Sequence, residues 1–389
     1  MDVLAMAEAL INPHILMWAR ERAGFGVAEI AEKLKIKPEQ WLAWERGEKN
    51  PSFSKAQEFA QKTHIPFGYL YLNEPPKQEP LLPDLRTIGD KPIGEFSLAL
   101  EDSIRIAFER RDWYREYNIQ NEQPALTWLS SADLQQPQEA LAAARTLLND
   151  VASQRPSQFD AYYRVLIEKI ENTGVLVMRN SIVGNNTHRP LDREEFRGFA
   201  IADDYAPVIF INAADIPQAQ IFTLLHEFAH LLVGESGVSD LSPRNSNRIE
   251  KFCNTLAAEF LVPSDTFTEQ WDKSTDNWLK NLPELAEFFH VSQWVIARRA
   301  LEHGFVTETQ YWAHYRKVLE HFKKEKETLR DKPGGPAFNS MIKMRYSAKL
   351  AKAVASEALS GRMLLRDAQY LIGVRPSKLK EFARKELGY

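Results

Sequence analysis

Residues 222–232 read FTLLHEFAHLL, with His226 and His230 four positions apart and Glu227 beside the first. On a helix that spacing is close to one turn, so both imidazoles point the same way and can reach one metal ion. Glu227 lies about 100° further round, beside such an ion, where it could hold a water. Phe222, Leu225, Ala229 and Leu232 gather on the opposite side, and Leu224, Phe228 and Leu231 cover most of what remains. The helix is therefore expected to be buried all round. Uncompensated imidazoles in such a helix are costly, and a metal is the economical partner for them. The competing reading is a buried core helix that carries two histidines by chance.

A zinc peptidase needs a third protein ligand and an open fourth position. The longer HExxHxxGxxH arrangement is absent, because Val233 and Ser236 stand where its glycine and third histidine would be. The alternative is a glutamate on a following helix, and RNSNRIEKFCNTLAAEFLVP supplies Glu250 and Glu259. Glu250 lies 20 residues beyond His230 and shares a helix face with Asn254. Asn254 could hydrogen-bond the far nitrogen of a ligand histidine and so fix its tautomer. Glu259 is nine residues beyond Glu250, about 180° round the helix, so both cannot face the metal. The Asn254 pairing favours Glu250, with Glu259 held as a structural or substrate-side carboxylate. The single cysteine, Cys253, rules out an internal disulfide and a Cys-rich zinc site, and reads as a packed core thiol rather than a switch.

These residues need elements to position them, and 389 residues suffice for two or three domains. Five short helices are expected first: ILMWARERAGF, GVAEIAEKLKI, KPEQWLAWERG, SFSKAQEFAQKTHI and FGYLYL. Ile30, Ala31, Leu34, Ile36, Trp41 and Trp44 would form the shared core of a helix-turn-helix there. NEPPKQEPLLPDLRT reads as a Pro-rich linker. Helical patterns fill about 88–172, followed by strands at 175–179, 197–202 and 206–212, the last leading into the histidine helix. Beyond 250 the chain is helical again. LPELAEFFHVSQWVIARRALEHGFVT and, more weakly, LSGRMLLRDAQYLIGVRPSKLKEFA have the look of further helix-turn-helix units, with DKPGGPAF before the last.

Composition is that of a globular protein, 44% hydrophobic and 26% charged. The N-terminus carries Asp2 and Glu8 where a signal peptide would be basic, and no apolar run reaches membrane-spanning length. A cytoplasmic protein with no membrane partner is expected. The net charge of −4 is uneven: residues 1–75 hold −1 and residues 321–389 hold +9, which leaves −12 for 76–320. A basic tail on an acidic body implies an anionic partner for the tail, or a tail folded on its own body. A tail or N-terminal unit covering the catalytic cleft is a further expectation from the same charges.

The order of the helix-turn-helix, PDLRT, APVIFIN, FTLLHEFAHLL, IEKFCNTLAAEFLVP and LAEFFHVSQWVIARRAL resembles the ImmA/IrrE family of metallopeptidases. The N-terminal unit resembles the Xre (Cro/C1-type) DNA-binding family often fused to it. The likeness spans nearly the whole chain and is least diagnostic at 88–170 and 308–389. It implies a zinc-dependent endopeptidase with a thermolysin-like ligand set, zinc on His226, His230 and Glu250, and Glu227 as the base. Such proteins cleave repressors or other regulators in phage, mobile-element, stress or defence control.

The expected fold is mainly α with a small β-sheet (α+β). The segments are a five-helix helix-turn-helix domain at 1–75, the linker at 76–87, a zincin-like (gluzincin) peptidase domain at 88–280, and a helical region with the basic unit at 281–389. In mechanism, Glu227 takes a proton from zinc-activated water and returns it to the leaving amine. The strand APVIFIN could pair with an extended substrate by strand addition.

The recognition-helix candidate is KPEQWLAWERG, with Lys37, Glu39, Gln40 and Arg46 as the candidate DNA contacts. Of these Gln40 is a good base reader, whereas Glu39 repels phosphate, and protein docking is the alternative use of this unit. The expected partners are a protein substrate, DNA through the N-terminal unit, and a second copy of the chain as a homodimer. The rival functional reading is an Xre-type transcriptional regulator or antitoxin-like binding protein with a non-catalytic peptidase scaffold. Self-cleavage in the linker at 74–87 is a third.

Overall fold

The structure is a computed structural model of the chain. It describes residues 8–76, 82–83, 87–88, 91–92, 96–151, 155–239, 247–275, 277–328, 344–386 and 388. Most of the expected linker and the DKPGGPAF stretch lie outside the described residues. The chain divides into two compact units, Met1–Pro80 and Leu81–Tyr389. As expected, the architecture is mainly helical with one small four-stranded sheet, an α+β fold.

The first unit holds α1 (Pro13–Arg22), α2 (Val27–Lys33), α3 (Pro38–Glu45), α4 (Phe53–Thr63) and a 3-10 turn, Phe67–Tyr71. Asn12 caps α1 by accepting from His14 N at 3.0 Å, and Ser52 caps α4. Proline at the first position starts α1 and α3 with φ already set for a helix. Ile30, Ala31, Leu34, Trp41 and Trp44 are buried and Ile36 partly so, which is the core expected from the sequence. Trp41 packs on Phe59 at 5.0 Å and on Trp44 at 5.8 Å.

The second unit begins with a two-residue hairpin, β1 (Thr87–Ile88) and β2 (Lys91–Pro92), then α5 (Leu98–Gln120), α6 (Pro137–Leu147) and α7 (Phe159–Asn172). Strands β3 (Leu176–Asn180), β4 (Gly198–Ile201), β5 (Val208–Asn212) and β6 (Gly237–Ser239) form a sheet in the order β3-β5-β4-β6. The β3–β5 pair is parallel, and the β4–β5 and β4–β6 pairs are antiparallel. Helix α8 (Pro217–Val233) lies between β5 and β6. After it come α9 (Arg248–Leu261), α10 (Ser264–Gln270), α11 (Asn281–Phe289), α12 (Gln293–Glu302) and α13 (Glu308–Thr328). The chain closes with α14 (Ala348–Leu359), α15 (Leu365–Ile372) and α16 (Pro376–Glu386).

Strand β5, VIFIN, is apolar at four consecutive positions and buried at all five, the signature of a strand covered on both faces. Ile209 and Ile211 face the core built by α6 to α9, α11 and α12, while Val208 and Phe210 face the core built by α5 and α14 to α16. This placement differs from three expectations. The 280/281 boundary does not separate compact units, because helices from both sides of it complete the layers over one sheet. The segment APVIFIN is not available for strand addition, since β5 is already paired along both edges. The described C-terminal helices do not cover α8, because they sit on the opposite face of the sheet. The short edge strand β6, which periodicity did not mark, donates from Val238 N to Pro83 O at 3.1 Å.

Candidate metal centre

Helix α8 starts on Pro217 and ends on Gly234, whose φ of +81° is the left-handed conformation of a helix stop. A Cβ on Gly234 would also lie 1.9 Å from Ser130 Oγ, so only glycine fits this helix end. Every residue from Thr223 to Leu232 is buried, as the all-round apolar pattern required. Helix α9, capped where Asn247 accepts from Ile249 N at 2.8 Å, packs against α8 and carries Glu250 in its first turn.

This packing brings three ligand atoms together. His226 Nε2 lies 3.1 Å from His230 Nε2 and 3.2 Å from Glu250 Oε2, and His230 Nε2 lies 3.0 Å from Glu250 Oε1. All three side chains are 0% exposed. Among the described residues they form a buried group able to hold a metal ion. Burial would raise the Glu250 carboxyl, but the two imidazoles, His226 first, outweigh it and hold Glu250 at about 2. Burial lowers His230, favouring the neutral imidazole that ligates metals.

Glu227 is also 0% exposed, and neither carboxylate oxygen has a hydrogen-bond partner. Burial, and then the charge of Glu250, push its carboxyl well above the usual range. It faces Gly198 of β4, where a Cβ would stand 2.8 Å from Glu227 Oε1. Ser239 at the end of β6 completes the surroundings, its hydroxyl 3.4 Å from His230 Nε2 and 3.3 Å from Glu250 Oε1. Neither Gly198 nor Ser239 was expected here from the sequence. Neither belongs to a recognisable spacing, and only the β4–β6 register, which pairs them, brings them to α8.

Two expectations around the triad need correction or assignment. The hydrogen bond from Asn254 to a ligand histidine is not formed, since the Nδ1 atoms of both His226 and His230 lack partners. Asn254 is half-buried on α9, so the shared face with Glu250 does not bring its amide to either ring. Glu259 lies away from the triad: it accepts from Ser264 N at 2.9 Å and Ser264 Oγ at 2.8 Å, and pairs with buried Arg299. It therefore starts α10 and ties it to α12. Cys253 is buried, and burial pushes its thiol well above its ordinary range, followed in effect by the charges of Glu250 and Glu227. It is a core thiol, as expected.

In the first unit, Lys37, Glu39, Gln40 and Arg46 are all exposed on or beside α3. Arg46 lies 3.7 Å from Glu48, a contact between two exposed side chains. No described helix is long and apolar enough to cross a membrane.

Residues 170–301, which run from the end of α7 to α12 and contain the whole triad, match the family of the IrrE N-terminal-like domain, a peptidase family. Residues 346–385, which run from just before α14 into the last turn of α16, match a domain family of unknown function. A search of curated proteins finds no match to the chain.

Proposed function

We propose that the Leu81–Tyr389 unit, with its IrrE N-terminal-like domain, is a zinc-dependent endopeptidase. Its substrate is a protein, a repressor or other regulator, in phage, mobile-element, stress or defence control. The observation that carries this reading is Glu227, a fully buried carboxylate without a hydrogen bond beside a His-His-Glu group. A non-catalytic scaffold has no use for it, because an unpartnered buried carboxylate destabilises the fold.

The donor set suits zinc. Zinc–ligand bonds of about 2.0–2.1 Å in a tetrahedron set an edge of roughly 3.4 Å. The three contacts of 3.0–3.2 Å lie near that value. His226, His230 and Glu250 would hold the ion and leave a fourth position for water or substrate. Zinc there supplies Lewis acidity, which brings the acidity of water towards neutral pH and polarises a peptide carbonyl. Glu227 accepts the proton of the attacking water and delivers it to the leaving amine nitrogen. Gly198 supports this role by leaving the carboxylate room beside the sheet. Burial of the four side chains excludes bulk water and strengthens each charge interaction among them.

The first unit is proposed to act as an Xre-type helix-turn-helix that docks on DNA or on a related repressor domain. The support is its buried α2–α3 core with exposed Lys37, Gln40 and Arg46.

The test is to incubate zinc-loaded chain, and separately its Glu227→Gln variant, with soluble protein from the host cell, and to read new protein N-termini by mass spectrometry. New termini that depend on the wild-type chain support the reading. Identical terminus profiles for both proteins, in samples shown to carry zinc, would overturn it.

A further inference from the structure

The backbone repeats one local course at several helix joints, three of them in the stretches whose sequence suggests a helix-turn-helix. A helix ends, one residue takes the left-handed conformation, an apolar residue follows, and the next helix begins three positions after the left-handed one. In those three stretches the left-handed residues are Lys35 (φ 54°), His290 (φ 55°) and Gly373 (φ 68°). Ile36, Val291 and Val374 follow them, and α3, α12 and α16 begin at Pro38, Gln293 and Pro376. Each joins two helices by a turn of the length found in a helix-turn-helix, whose second helix is the one able to enter a DNA groove.

The three second helices differ in what they leave exposed. Helix α12 is largely packed into the core, with Val295, Ile296, Ala297, Arg299 and Ala300 all buried, and its partly exposed cation Arg298 is paired with Glu302 at 3.0 Å. Helix α3 is exposed but balanced in charge: residues 37–46 hold Lys37 and Arg46 against Glu39 and Glu45. Helix α16 buries Leu379, Phe382 and Ala383 and turns its other side to solvent. Residues 375–386 hold five basic side chains against two acidic ones. Glu381 is engaged by Lys378 at 3.0 Å and Lys385 at 2.9 Å. Arg375, Lys380 and Arg384 are exposed and have no acidic partner among the described residues.

The body of the unit holds this helix pair in place from behind. Arg110 Nε donates to Leu371 O at 2.9 Å, Tyr370 Oη donates to Glu109 at 2.6 Å, and Tyr346 Oη donates to Asn185 at 2.6 Å. A Cβ on Gly373 would lie 2.4 Å from the Asn185 amide nitrogen, so the turn packs directly on the body. The Arg110 and Tyr370 bonds fall on α15 and the Tyr346–Asn185 pair lies against the turn, so none of them involves the outer face of α16.

We propose that α14 to α16 form a duplex-DNA-binding module, with α16 entering the major groove and Arg375, Lys380 and Arg384 neutralising backbone phosphates. The occupant is assigned by charge: the polyanionic backbone of a duplex complements Lys380 and Arg384 on the exposed second helix and Arg375 just before it, which lack acidic partners among the described residues. The basic tail is thus both folded on its own body and open to an anionic partner. This proposal is independent of the peptidase reading.

The experiment is fluorescence anisotropy of a labelled random-sequence DNA duplex titrated with the full chain, across a salt series, with and without a chelator. The Arg375→Ala/Lys380→Ala/Arg384→Ala variant should bind at least tenfold more weakly. Its slope of log affinity against log salt should be shallower by about 0.9 for each phosphate no longer neutralised. The Lys37→Ala/Arg46→Ala variant should stay within about twofold of wild type by the same reasoning. All the substituted side chains are exposed, and matching circular dichroism spectra and melting temperatures would show that the variants fold. The proposal is overturned if the full chain does not bind duplex at low salt, or if the loss follows the α3 variant alone. It is also overturned if polyglutamate displaces the duplex as well as unlabelled DNA does, which would assign the face to an acidic protein.

Discussion

Gly198 and Glu227 meet across the interface between β4 and α8, so closely that a single carbon added to Gly198 would lie 2.8 Å from the carboxylate oxygen Oε1. The same carbon would press on Thr223 at 2.8 Å and on the backbone oxygen of Phe210 at 2.9 Å, so the strain cannot be relieved by one flexible side chain. The sheet thereby sets where the proposed base can sit.

Gly198→Ala should therefore lower stability by about 1–3 kcal/mol, the usual cost of overpacking a core. It should also displace Glu227 and cut peptidase turnover more than metal affinity, since the three ligands lie on α8 and α9. Thermal melts, metal titration and turnover on an identified substrate check this. Unchanged turnover would remove Gly198 from any positioning role.

Metal content separates ligands from base. His230→Ala and Glu250→Gln should each lose the metal, because each removes one of three converging donors. Glu227→Gln should retain it and lose about 10²–10⁴-fold in turnover. Elemental analysis of protein purified without chelator gives the stoichiometry. Zinc retained by Glu250→Gln would displace Glu250 from the ligand set.

Glu259 offers the complementary control. Its bonds to Ser264 and Arg299 are structural, so Glu259→Gln should bind metal as wild type does while losing about 1–3 kcal/mol of stability. Loss of metal in this variant, with the fold intact by circular dichroism, would contradict the assignment.

A pH dependence follows from Glu171, which lies in the last turn of α7 and is buried against the start of α14. It accepts from Ser347 Oγ, and from Ala348 N at 3.1 Å. Burial pushes its carboxyl from 4.5 up to about 7, against those hydrogen bonds and the nearby Lys349. The folded chain thus keeps a proton that the unfolded chain releases. The stability this contributes is complete below pH 4.5 and is lost as pH rises through about 7. The full span is of order 3 kcal/mol at about 1.4 kcal/mol per unit. Glu171→Gln, which keeps an accepting oxygen, should flatten this part of the profile in urea melts between those pH values. An unchanged slope would sink the assignment.

Sequence alone carried the local rules far. The four-residue histidine spacing, the helix buried all round and a glutamate, Glu250, on the following helix were legible because a helix fixes direction from spacing. The strands β3, β4 and β5 were legible from their runs of strand-forming residues, and the four N-terminal α-helices and the 3-10 turn, with their Trp41 and Trp44 core, from apolar spacing and the glycines and prolines at the joints. The inference from Asn254 failed because sharing a helix face does not ensure that an amide reaches a particular ring nitrogen. The placement of APVIFIN at a free edge failed because strand order is a pairing between distant segments, which periodicity does not record. Gly198 and Ser239 were invisible for the same reason: they reach the centre through the register of β4 on β6. Likewise, three stretches of the sequence suggest a helix-turn-helix, but burial and charge on the finished surface leave α12 largely packed into the core, α3 neutral in charge and α16 exposed and basic. Spacing along one element is set by local covalent geometry, whereas exposure and contact between elements are set by how the whole chain packs, and only the tertiary structure decides those.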